Sequence, residues 1–139
     1  MAIVQHSTLR LDIMARFFKI LPLLILIIIT IACQEGKEAG DLQGQWRITG
    51  SDSKYISFSG RVVVFRNLEK GEVFGNFQHV GDSLFIQCYS VEGVPSDTVS
   101  IEKDFGFKPF TNIRVKIESL DTDNLILSKD RIIWSLYKY

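Results

Sequence analysis

Four features of this 139-residue sequence are of types that do chemistry: the cysteines Cys33 and Cys88, the histidine His79, the serine of Gly81-Asp82-Ser83-Leu84, and the acidic run Asp121-Thr122-Asp123-Asn124. A hydrolytic serine needs a base within hydrogen-bond reach and a third group that orients the base. His79 is the one histidine after Cys33, it lies upstream of Ser83, and no Asp-x-x-His follows. Zinc needs three or four ligands, and a lone His79 with a lone Cys88 falls short. A calcium loop of the EF-hand type has glycine at its sixth position and glutamate at its twelfth. The run from Asp121 has neither, and solvated turn chemistry accounts for it. No carboxylate pair can be placed across one cleft for glycoside hydrolysis. The sequence therefore carries no expected catalytic residue, metal or cofactor, and it reads as a non-enzyme.

Gly81-Asp82-Ser83-Leu84 also spells the signature of a serine-hydrolase family. Those enzymes are α/β proteins with the serine ahead of a helix, whereas Gly-Asp at a hairpin turn explains the same letters without catalysis. Cys88 admits two readings. It is a reactive thiol, or it is buried on a strand face beside Leu84 and Ile86, and the second is the ordinary state of a free cysteine.

Cys33 is different. Arg16 and Lys19 precede Ile20 to Ala32, 13 residues without a charge, and Ala32 stands directly before the cysteine. A membrane span needs about 20 apolar residues, so this block is too short to stay as one. The pattern is that of a secretory signal: charged region, apolar region, small residue at the cleavage point. It resembles a bacterial lipoprotein signal, which implies cleavage between Ala32 and Cys33 and lipid attachment to Cys33. Thr30 departs from that pattern, which has Leu, Ile or Val three residues before the cysteine. The expected organisation is a signal peptide over 1–32, with Met14 the better start, a lipidated flexible tether over 33–41, and a folded domain over 42–139. Two or more acyl chains hold firmly to a bilayer where one does not. The expected location is the cell envelope, lipid-anchored at the outer membrane, on its periplasmic or its surface side.

From Cys33 onward the chain has 107 residues, enough for one domain with a core, and 13 Lys or Arg against 15 Asp or Glu. No basic stripe exists to displace counterions from phosphates, so nucleic acid is not an expected partner. With Cys33 lipidated, Cys88 has no partner for a disulfide within the chain.

The elements that must position these residues are short strands. Leu42, Gly44, Trp46 and Ile48 alternate with polar residues, the period of a strand with one buried face. Tyr55–Phe58, Arg61–Asn67, Glu72–His79 and Ser83–Cys88 follow, separated by turn residues about every ten positions. Ser90–Asp97 reads as a longer loop and Thr98–Ile101 as a short strand. Residues 103–110 hold Phe105, Phe107 and Phe110 without a period, as a plug over one end of the fold or a lid over a cavity. Ile113, Val115 and Ile117 alternate cleanly, then Leu125–Leu127, then Ile132, Trp134 and Leu136. Eight or nine strands and no amphipathic helix make the domain all-β. Serial antiparallel hairpins that must hide their edges favour an up-and-down barrel of about eight strands.

Gly44-Gln45-Trp46 is the Gly-x-Trp element that opens lipocalin-type barrels. Phe65-Arg66-Asn67, Gly75-Asn76-Phe77, Lys108-Pro109-Phe110, Leu125-Ile126-Leu127 and the ending Tyr137-Lys138-Tyr139 follow in order. Together these segments resemble the small lipocalin-like (calycin) lipoproteins of gut-type Gram-negative bacteria. The resemblance implies an eight-stranded barrel on a lipid anchor. It also implies that Trp46, after Gly44, closes the base against a cation of the last strand, for which Arg131 is the candidate. True lipocalins are longer and carry a substantial helix beside the barrel, for which this chain leaves no room.

Two functions follow as expectations. In the first, the barrel binds a small apolar ligand through Phe58, Phe77, Phe105, Phe107, Phe110 and Trp134. In the second, bulky inward residues fill the barrel, and the domain is a structural or interaction module with an envelope protein as partner. The outward Tyr89, Tyr137 and Tyr139 are then candidates to face a carbohydrate or protein, or are singly exposed aromatics of the ordinary kind.

Overall fold

The computed structural model describes residues 2–32 and 39–139. Two units are distinguished. The first contains one helix, α1 (Ala2–Ala32), which runs through Pro22. Among the described residues no helix is long and apolar enough to cross a membrane. Ala32 ends α1; Cys33, and with it the expected lipid site and most of the tether, lies outside the described residues.

The second unit is a closed antiparallel barrel in which eight strands follow one another in chain order. They are β1 (Gly44–Ile48), β2 (Lys54–Ser59), β3 (Val62–Asn67), β4 (Gly71–Val80), β5 (Ser83–Tyr89), β6 (Ile113–Leu120), β7 (Asn124–Lys129) and β8 (Ile132–Lys138). β8 pairs back onto β1, with Trp46 opposite Lys138 and Ile48 opposite Leu136, so no edge is left to pair with another chain. Alternation sets the inside. Val63 and Phe65 of β3, Val73 and Phe77 of β4, and Leu84, Ile86 and Cys88 of β5 are buried, as are Ile113, Val115 and Ile117 of β6. β3, apolar on both faces, resolves with Val62 outside and Val63 inside.

One sequence expectation is corrected here. Residues 95–105 are helical, not loop and strand: α2 (Pro95–Val99) runs into a π-helical turn, Ser100–Phe105. Thr98, Val99 and Ile101 are β-branched and favour strands locally. Three other features outweigh them. Pro95 occupies the first helical position, where its fixed φ fits. Ile101 and Phe105, four apart on one face, are both buried. Gly106 terminates the turn in the left-handed region, φ 82°, its N–H donating to Ile101 O. The chain thus does hold a short helix, across one end of the barrel rather than beside it.

At the other end the packed body begins before β1. Gly40–Leu42 is a 3₁₀ turn, and Ala39, which the sequence places in the tether, is fully buried with Leu42 in the barrel's core.

Candidate functional site

Strands that alternate in direction give the barrel two ends. The base holds the start of β1, the end of β8 and the turns at 60–61, 81–82 and 121–123. The mouth holds the long β5–β6 connection and the β7–β8 turn.

Trp46 closes the base. Its indole Nε1 donates to Leu42 O at 2.8 Å, and its ring is fully buried. The cation against it is Lys138, whose Nζ lies 4.4 Å from the ring centroid and donates to Gln43 O. Gly44 is required beside it: φ is +120°, and a Cβ there would stand 2.8 Å from Lys138 Nζ. Arg131 does not take this part. It is exposed in the β7–β8 turn, at the mouth, the far end of β8 from Trp46. Direction decides it, since the last strand of a closed even-numbered meander ends where the first begins.

The six residues expected to line a ligand site are brought to one core, with Phe110 half-buried at its margin. Phe58 and Phe77 meet edge to face at 5.1 Å in the base half. In the mouth half Phe65 contacts Phe105 at 5.4 Å and Phe107 at 5.5 Å, and Phe107 stacks on Trp134 at 4.3 Å. Trp134 Nε1 donates to Phe105 O at 2.8 Å, satisfying the one polar atom that burial would otherwise orphan. Residues 101–107 therefore enter the barrel as a plug. Outside, Lys54 Nζ donates to Asp104 O at 2.7 Å and Lys70 Nζ pairs with Asp104 Oδ2 at 2.8 Å.

The reactive-looking residues resolve into structure. Cys88 is a buried free thiol, and burial pushes its pKa up to about 12. Ser83 opens strand β5 rather than preceding a helix. Asp121 Oδ1 accepts from the backbone N–H of Asp123 at 2.9 Å and of Asn124 at 2.7 Å. Those bonds hold its carboxyl below the usual range and turn the chain into β7. Among the described residues no group of three or more His, Cys, Asp or Glu is placed to hold a metal ion.

Of the tyrosines, Tyr139 meets Tyr55 edge to face at 5.2 Å, with the Arg47 guanidinium 5.9 Å from its ring centroid. Tyr137 and Tyr89 are exposed. Sequence reasoning missed a feature of the outer wall. A cleft of about 660 Å³ lies over β4, β5 and β6, with Arg61 and Arg114 among its lining and no carboxylate. Two arginines and several amides on alternating outward positions were the available signal.

Residues 26–139 match a family model described as a lipocalin-like domain. Among solved structures the chain is similar to a lipocalin-like protein from Bacteroides uniformis ATCC 8492, at 23% identity and TM-score 0.57, over 72% of this chain and 100% of that one. It is also similar to an uncharacterized protein from Bacteroides eggerthii DSM 20697, at 17% identity and TM-score 0.55, over 70% and 98%. Among curated proteins none matches the chain.

Proposed function

The chain belongs to the lipocalin-like domain family, and from that premise we propose that it is an envelope lipoprotein, anchored through lipid on Cys33, whose filled barrel works through its outer surface. The interior carries this reading. Phe58, Phe65, Phe77 and Phe107 are fully or almost fully buried, and ring-to-ring contacts run through both halves of the barrel. Small-molecule pockets hold about 300 Å³ or more. Aromatic side chains packed ring to ring through both halves argue against such a pocket inside this barrel.

The second reading, a small apolar ligand inside, is favoured by one observation. Phe105 and Phe107 come from the β5–β6 connection and not from the strand wall, so withdrawal of that segment would empty the mouth half without breaking a strand pair.

The anchor rests on Ala32-Cys33 and the apolar block before it, and it has its own test. Cys33→Ser should move the protein from the membrane pellet to the soluble fraction, with the barrel's thermal transition unchanged. Continued pelleting of the variant would contradict the lipid anchor.

A further inference from the structure

Some outward cations of the barrel are met by carboxylates. Arg47 pairs with Asp52 at 2.5 Å, Arg66 with Glu72 at 2.6 Å, and Lys116 with Glu118 at 3.5 Å. The cleft over β4, β5 and β6 is different, for no carboxylate is among its lining residues. The outward residues that line it are Asn76 and Gln78, Phe85 and Gln87, and Asn112 with Arg114. They form a grid fixed by the register: Asn76 opposite Gln87, Gln78 opposite Phe85, and Phe85 opposite Arg114. Arg61, from the β2–β3 turn, reaches the same cleft of about 660 Å³.

Arg114 is held and not spent. Its guanidinium lies 5.5 Å from the Phe85 ring centroid, and its Nε makes one long hydrogen bond, 3.5 Å, to Asn112 Oδ1. Among the described residues no carboxylate lies in ion-pair range of Arg114 or Arg61, which are absent from the salt bridges formed. A guanidinium held over an aromatic ring keeps a planar fork of donors, the group that suits a carboxylate or other oxyanion. The amides around it each offer donors and an acceptor, which is what hydroxyl groups require. From β3, at whose start Arg61 lies, to Arg114 on β6 is three strand spacings, roughly 14 Å, and two outward positions along a strand span about 7 Å. That area suits a ligand of two or three sugar rings.

We infer that this face binds an acidic, carboxylate-bearing oligosaccharide, its carboxylate on Arg114 and Arg61 and its hydroxyls on the amide grid. Other occupants fit less well. A closed barrel has no strand edge for an extended peptide to join, and a nucleic acid needs a longer basic track than two arginines. The inference deepens the reading of a barrel that works through its outer surface, and its failure is separable from that reading's.

The test is calorimetric titration of the full chain, in detergent, with a trigalacturonate probe. The neutral sugar of equal length, inorganic sulfate and a tri-glutamate peptide serve as comparisons. Saturable binding of trigalacturonate is expected, weakened by about tenfold or more in Arg114→Gln and in Arg61→Gln. Lys116→Gln, outside the cleft, should bind as the parent does. Unchanged thermal transitions would show that the two arginine variants still fold. Absence of binding, equal binding of sulfate or the peptide, or affinity indifferent to both arginine variants would each overturn the site. None of those results would refill or empty the barrel interior, which answers to its own measurement.

Discussion

Between β4 and β6, with 4% of its surface exposed, the Cys88 thiol shows what burial does to a nucleophile. Desolvation disfavours the thiolate and raises the pKa from 9.0 to about 12. The group is therefore protonated in the folded state where it would ionise in the unfolded chain. Its contribution to stability is full below about pH 9 and is lost as pH rises toward 12. Unfolding free energy measured in denaturant across that window should fall more steeply for the parent than for Cys88→Ala; equal slopes would contradict the buried assignment. That burial was legible in the sequence, since Leu84, Ile86 and Cys88 share one strand face. The base cation was not. Arg131 looks suitable by charge and proximity to the last strand, but only strand direction puts Lys138, and not Arg131, over Trp46. Tyr137-Lys138-Tyr139 held that answer, and a meander drawn end to end would have placed it.

Among the elements, the eight strands were readable because period-two alternation and turn residues agree at nearly every step. The segment 95–105 was not, because its β-branched residues argue for a strand while its helix depends on contacts made only in the fold. Phe105 and Phe107 meet Phe65 of β3, and Phe107 also meets Trp134 of β8, all remote in sequence. The same remoteness makes the plug's worth measurable. Phe107→Ala removes the stack on Trp134 and the contact with Phe65, and it should cost about 3–5 kcal/mol, the range for truncating a buried aromatic. A loss below about 1 kcal/mol, the range of surface substitutions, would mean that Phe107 is not part of the core. Phe110, half-buried, was indistinguishable from Phe105 and Phe107 in sequence, because no period runs through residues 103–110.

At the scale of the whole molecule, closure and filling solve different problems. β8 on β1 removes the exposed edges of a small sheet. Trp46 with Lys138 at the base and the helical plug at the mouth then cap a cylinder whose middle holds Phe58, Phe65 and Phe77. The sequence announced the barrel and the bulk of its inward residues; it left open whether they line a hollow or fill it, because volume depends on how both ends close. On the proposed reading the outer walls are the surface for recognition, and the cleft across β4 to β6 has no carboxylate among its lining residues. The most direct test of the filled barrel is native mass spectrometry of the full chain purified from its own host in mild detergent. The account predicts the mass of the polypeptide with its lipid and nothing more. A second, apolar molecule that stays bound to the folded protein and leaves on denaturation would contradict it and restore the barrel as a ligand carrier.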